Sequence, residues 1–158
     1  MKTKLVLFLS LVGIILSAAA CSAAAGQTPG GTEPPGEKKV TVTAVEVSYD
    51  ELTSSQHISR QIEITYPGTL QVTLYSNPTT GYSWSEDAEI ADSKVMQQES
   101  HEYTPLPSNG NMVGTGGKEV WIFKTLTQGK TELSMEYSQP WSGGEKKTWT
   151  FELIVTVK

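Results

Sequence analysis

From Val40 onward the chain alternates. Short segments in which β-branched or aromatic residues recur at every second position follow one another: VTVTAVEV (40–47), RQIEIT (60–65), TLQVTLY (69–75), GYSWS (81–85), KVMQQESHEY (94–103), KEVWIFKTL (118–126), TELSMEY (131–137) and TWTFELIVTV (148–157). Turn formers lie between them: Pro67-Gly68, Asn77-Pro78, Asn109-Gly110, Gln128-Gly129 and Ser142-Gly143-Gly144. A period of two places successive side chains on opposite faces, so each segment can bury one face only against a second sheet. Strands of this length and spacing predict an all-β, antiparallel sandwich of immunoglobulin-like type. The chain has a single cysteine, so the sandwich must hold without an internal disulfide.

Within this frame the last segment places Trp149, Phe151, Leu153, Val155 and Val157 on one face, the expected core face. VWIF (120–123) is apolar on both faces, which suits a central strand covered on both sides for part of its length. The shift of phase from Val40 and Val42 to Val45 and Val47 suggests a bulge near Ala44. Helical periodicity is scarce: EDAEIADSK (86–94) admits one or two turns, and SYDELTSSQ (48–56) carries too little pattern to be assigned.

The N-terminal part reads differently. Two lysines, Lys2 and Lys4, precede an apolar run from Leu5 to Leu16 and then small residues, which is the order of a secretory signal and too short to span a bilayer comfortably. Residues 1–20 are therefore expected to be a signal peptide. Ala18-Ala19-Ala20-Cys21 resembles a bacterial lipoprotein processing box, with Ala18 where Leu is usual, and implies lipidation at Cys21. Each buried CH2 of such a lipid contributes about 0.8 kcal/mol to membrane attachment. Residues 22–39 are dense in Gly, Pro and Ala, a composition that cannot offset ordering entropy, and are expected to tether the domain of residues 40–158 roughly 20–25 Å from its anchor. An exported, membrane-anchored protein of the bacterial cell envelope is the expectation, touching the membrane through the lipid alone.

Charge excludes further classes. Loss of Lys2 and Lys4 leaves ten basic against 17 acidic side chains, a formal charge of −7, with no basic stripe for nucleic acid. Catalytic constellations fail one by one. His57 and His101 stand in polar sequence without zinc-ligand spacing and read as solvated surface residues. GTGGKE (114–119) lacks the first glycine of a phosphate loop, where Met112 stands, and carries Glu119 in place of the magnesium-binding Ser or Thr. Glu86, Asp87 and Glu89 read as a solvated charge run. No enzyme, cofactor or metal is expected.

Three polar stretches are richer than a connection requires. In Asn77-Pro78-Thr79-Thr80-Gly81-Tyr82, Pro78 fixes φ and Gly81 permits positive φ, which holds the threonines on a stiff projection. PLPSNGNMVGTGGK (105–118) is long for a structureless loop, and Gly114-Thr115-Gly116-Gly117 has almost no side-chain bulk. In SQPWSGG (138–144), Trp141 follows Pro140 on a turn, as an interface anchor would.

Together, NPTTGYSW, GTGGKEVWIFK, YSQPW and the terminal TWTFELIVTV resemble the chagasin family of immunoglobulin-like inhibitors of papain-like cysteine proteases, over about residues 60–158. The resemblance implies three loops clustered at one end of the sandwich and entering the protease cleft as a wedge. Asn77 to Tyr82 match the loop that covers the target's catalytic Cys–His pair, with Thr79 and Thr80 nearest it. Gly114, Thr115, Gly116 and Gly117 match the loop that pairs with the enzyme backbone, and Pro140 and Trp141 the loop that packs on aromatic surface. Gln139 stands where the family commonly has Arg, which removes a guanidinium contact. The resemblance implies a reversible, competitive inhibitor, here expected as a monomer. The alternative is a carbohydrate-binding or adhesive envelope module in which Tyr82, Tyr103 and Trp141 stack on sugar rings; an assembly part of the envelope is a third reading.

Overall fold

The structure is a computed structural model that describes residues 40–107, 114 and 116–158. Cys21, the segments 1–20 and 22–39, and Thr115 lie outside the described residues. The strands are β1 (Thr41–Val47), β2 (His57–Ile64), β3 (Gly68–Ser76), β4 (Ser83–Trp84), β5 (Glu89–Ile90), β6 (Met96–Pro105), β7 (Gly117–Thr125), β8 (Gly129–Ser138) and β9 (Trp149–Val157), with one helix, α1 (Tyr49–Ser54). One sheet has the order β1-β3-β7-β6, and the other β2-β9-β8-β4, with β5 also pairing β8.

The alternation read from the sequence sets the core. Leu70, Val72 and Leu74 of β3, Trp121 and Phe123 of β7, Leu133 and Met135 of β8, and Phe151, Leu153 and Val155 of β9 are all buried, one residue in two along each strand. Each such side chain contributes about 1.5–3 kcal/mol relative to exposure. Trp149 caps this face of β9 half-buried, and Val157 closes its far end.

The sheets are not wholly antiparallel. β1 pairs β3 in parallel, and β2 pairs β9 in parallel. A parallel pair needs a crossover, and β2 supplies it for the first by leaving for the opposite sheet between β1 and β3.

Three local expectations are corrected. β1 runs in unbroken register from Thr41 against Gly68 to Val47 against Leu74, so no bulge exists at Ala44; Val42 faces outward and Thr43, Val45 and Val47 share the inner face. The bulge falls in β6, between Gln98 and Ser100. β7 is central, but Val120 and Ile122 on its outer face are only half-buried. Residues 86–94 form no helix: Glu89 and Ile90 pair Ser134 and Leu133, and the Asp92 carboxylate accepts the Lys94 N–H in a turn at 2.9 Å.

The helix lies instead at Tyr49–Ser54, started by a capping box. The Ser48 hydroxyl accepts the Glu51 N–H at 3.3 Å while the Glu51 carboxylate accepts the Ser48 N–H at 3.0 Å. Leu52 anchors it, fully buried.

Candidate functional site

Three connections leave the same end of the sandwich, because their flanking strands are paired there. Ser76 at the end of β3 is opposite Gly117 at the start of β7, and Gly117 is opposite Pro105 at the end of β6. In the other sheet Ser83 faces Ser138, and Tyr137 faces Trp149. The connections 77–82 and 139–148, and both ends of the connection between β6 and β7, therefore lie at one rim.

The first is a single 3-10 turn, Pro78–Thr80, closed by Gly81 at φ 84°. The Gly81 N–H reaches the Pro78 carbonyl at 3.0 Å and the Thr80 N–H that of Asn77 at 3.1 Å. Pro78, Thr79 and Thr80 are exposed, yet both hydroxyls are committed inside the turn: Thr79 donates to Asn77 Oδ1 at 2.7 Å and Thr80 to the Asn77 carbonyl at 2.6 Å. Asn77 anchors the turn inward, its N–H on the Tyr137 hydroxyl at 2.9 Å. Its side-chain amide donates to the Gly114 carbonyl of the second connection at 3.3 Å.

The second connection is shorter than the sequence suggests. The β6–β7 ladder runs out to Pro105 and Gly117, and the Leu106 N–H extends it to the Gly116 carbonyl at 3.1 Å. Gly114 is exposed, whereas Gly116 and Gly117 are buried in the stem and do not form an open tip. Their lack of bulk serves packing within the chain. A Cβ at Gly116 would meet the Tyr75 hydroxyl at 2.3 Å, and one at Gly117 the Tyr103 ring at 2.5 Å.

The third connection is internally braced. The Gln139 N–H reaches the Glu145 carbonyl at 2.8 Å, and Gln139 Oε1 accepts the Glu145 N–H at 2.9 Å. Lys146 donates to the carbonyls of Gln139 and of Trp141, the latter at 3.2 Å. Pro140 and Trp141 are exposed, Trp141 by 50%, but its indole lies over Gly81 of the first connection. The Tyr82 hydroxyl donates to Glu145 at 2.6 Å, which raises its pKa above the ordinary phenol range. Burial first, and neighbouring tyrosines next, push Tyr75 up as well.

All three expected stretches are thus brought together: Asn77 touches Gly114, Gly81 touches Trp141, and Tyr82 reaches Glu145. Aromatic rings support the rim from below, with Tyr82 stacked on Tyr137 at 5.6 Å and Tyr137 on Trp149 at 4.7 Å. Of the three rings that a sugar platform would need, Tyr82 is half-buried and stacked on Tyr137, whereas Tyr103 and Trp141 are exposed.

His57 is exposed and contacts Thr150, as expected of a surface residue. His101 is not solvated. It stacks on Trp121 at 4.6 Å and its Nε2 meets the carboxylate of Glu119 at 2.7 Å. Glu119, considered only for magnesium in the sequence, is a buried carboxylate. Among the described residues no group of three or more His, Cys, Asp or Glu side chains is gathered for a metal.

Comparison with known proteins gives this arrangement a family. The sequence profile of the chagasin family peptidase inhibitors (I42) matches residues 64–155. Amoebiasin-2 of Entamoeba histolytica is 27% identical over 96 residues, covering 60% of this chain and 76% of the relative. Amoebiasin-1 of the same organism is 30% identical over 87 residues, 54% of this chain and 79% of the relative. Chagasin of Trypanosoma cruzi is 27% identical over 74 residues, 47% and 67% respectively. The crystal structure of the cysteine protease inhibitor EhICP2 from Entamoeba histolytica superposes with a TM-score of 0.61 at 20% identity, over 77% of this chain and all of that one. PbICP-C, in its complex with falcipain-2, gives 0.51 at 17% identity, over 73% and 98%. These structures share the sandwich. With its profile matched from the end of β2 through most of β9, the chain belongs to the chagasin family of peptidase inhibitors.

Proposed function

We propose that this inhibitor acts reversibly and competitively on papain-like cysteine proteases, presenting residues 77–82, Gly114 and Pro140–Trp141 as one wedge, with Gly116 and Gly117 packed in the stem behind it. The observation that carries the reading is the mutual contact of the three connections at one rim, Asn77 to Gly114 and Gly81 to Trp141. A wedge needs no catalytic group. It must reach a recessed nucleophile, keep its shape, and avoid lying in the cleft as an extended, cleavable strand. The 3-10 turn with Gly81 at positive φ is not extended backbone, and its hydroxyls are spent on holding it. Such pre-organisation lowers the ordering cost of binding. Membership of the inhibitor family and the protease complex of the structurally similar PbICP-C support a target of this class.

The membrane attachment belongs to the same proposal. Lipidation at Cys21, after removal of residues 1–20, would leave residues 22–39 as a tether that lets the wedge reach proteases at the envelope surface. Radiolabelled fatty acid incorporated by the natural sequence and not by Cys21→Ala is the expected result.

The central experiment titrates papain and a cathepsin L-type enzyme with residues 40–158 while following hydrolysis of a fluorogenic peptide. Inhibition constants between about 1 nM and about 10 μM are expected, weakened by Thr79→Ala, which removes the hydroxyl that braces Asn77. A folded domain that inhibits neither enzyme would overturn the reading for this class of target.

A further inference from the structure

Among the described residues Glu119 is the one buried acidic side chain, and nothing in the wedge explains it. A carboxylate is placed in a core only where several partners compensate its lost hydration. Its Oε2 meets His101 Nε2 of β6 at 2.7 Å, and its Oε1 accepts the backbone N–H of Trp84 at 3.3 Å. Trp84 belongs to β4, the edge strand of the opposite sheet. The neighbouring Ser85 N–H is bonded back to Glu136 of β8 at 2.9 Å, so that of Trp84 points off the edge and would be orphaned without Glu119. The Trp84 indole in turn donates to the Tyr75 carbonyl at the base of the first connection at 2.8 Å.

The spacing gives this contact its meaning. Glu119 stands two residues after Gly117, where the second connection ends, and Trp84 two residues after Tyr82, where the first ends. A bond between them joins the stems of two wedge loops across the two sheets.

We propose that Glu119, steadied by His101, is a positioning residue for inhibition: by holding Trp84 it sets the spacing between the 77–82 turn and the glycine connection. This rests on the inhibitory role proposed above. Loss of the acceptor frees β4 to drift from β7, and the contacts of Asn77 with Gly114 and of Gly81 with Trp141 loosen together.

The test compares Glu119→Leu, Glu119→Gln and His101→Gln in the full chain, with Val157→Ala as a variant that loosens the core at the opposite end, where Val157 pairs Gly129. Association and dissociation with papain are measured well below each melting temperature. Glu119→Leu is expected to weaken inhibition about tenfold or more, mostly through faster dissociation. Glu119→Gln, whose amide oxygen still accepts the Trp84 N–H, should stay within about threefold of wild type. His101→Gln should fall between them, and Val157→Ala should leave the inhibition constant unchanged. A folded Glu119→Leu that inhibits like Val157→Ala would overturn the proposal, as would a Glu119→Gln no better than Glu119→Leu. Amide hydrogen exchange reads the contact without protease: protection of the Trp84 N–H in the wild type supports the brace, and rapid exchange there refutes it. If the wild type leaves both papain and the cathepsin L-type enzyme fully active, the target reading fails, while the exchange result still decides whether Glu119 braces β4.

Discussion

The indole of Trp141 rests on Gly81: a Cβ built on this glycine would stand 2.8 Å from the ring's Cη2. The two residues belong to different connections, so their contact is what makes a single surface of two loops. Gly81→Ala therefore acts twice, forcing a side chain into left-handed backbone at φ 84° and pushing the indole away. The expected destabilisation is about 1–2 kcal/mol. Protease inhibition should weaken by more than the change in melting temperature would suggest, because the displaced ring lies on the proposed binding rim. Parallel thermal melts and inhibition titrations check this, and an unchanged inhibition constant would show that the contact does not matter to binding.

Trp141→Ala separates binding from folding more cleanly. The side chain is half exposed and contributes little to the core. Its removal is expected to leave the melting temperature within a few degrees of wild type and to reduce affinity by at least about 2 kcal/mol, roughly 30-fold. Equal affinity of the variant and the wild type would count against placing this loop in the interface.

The core strands were legible because burial imposes a period of two on them, as in Leu70, Val72 and Leu74 or Phe151, Leu153 and Val155. α1, within residues 48–56, could not be assigned from pattern, since a six-residue helix with one buried anchor, Leu52, has no period to display. Its signal was Ser48 followed three residues later by Glu51, a cap and not a pattern. At β1 the opposite error arises: Val40 and Val42 look like core residues out of phase, and are exposed apolar residues at an edge. The site's composition was readable from Pro, Gly and Trp in turns. Its internal bonds were not, because Gly81 with Trp141 and Glu119 with Trp84 depend on how two sheets superpose.

Gly116 tests the corrected role of the glycine connection. Buried beneath Tyr75, it has no room for a methyl group, whose carbon would stand 2.3 Å from the hydroxyl and 2.5 Å from Cζ. Tyr75 itself packs on Tyr49 of α1 at 4.9 Å, so Gly116→Ala should disturb the helix as well as the loop. A loss of about 1–3 kcal/mol in stability is expected from such overpacking. Chemical denaturation would measure it, and a stability equal to wild type would mean that Tyr75 moves aside freely.

Acid should act on the cap of α1. The Ser48 N–H bonded to Glu51, with the Arg60 guanidinium beside it, holds this carboxyl below the usual carboxylate range against a small opposing effect of burial. A folded-state pKa that is depressed gives stability present above the ordinary value and lost as pH falls through the depressed one. Since the side chain is 46% exposed, screening keeps the contribution under about 1 kcal/mol. Melting temperatures of the wild type and Glu51→Gln should therefore differ at pH 7 and draw together progressively as pH falls below the ordinary carboxylate value of about 4.3. A difference that stays undiminished down to the most acid pH at which the domain remains folded would assign the effect to shape and not to charge.

Glu145 is held from two sides, and the pair of holds is separable. Gln139 Oε1 accepts its N–H at 2.9 Å within the third connection, while its carboxylate accepts the Tyr82 hydroxyl from the first at 2.6 Å. Gln139 is thus spent on shaping its own loop. Each hold is modest in a solvated rim, where water competes for the same groups. Both act through one residue, so they should not add: removing either leaves the loop free to move and makes the other hold weaker. Inhibition constants for Gln139→Ala, Tyr82→Phe and the double variant form the cycle that measures this. A coupling of about 0.5 kcal/mol or more is expected, the double variant losing less than the two single losses combined. Strict additivity would mean that the two loops respond separately, and that the rim is assembled only when the protease closes around it.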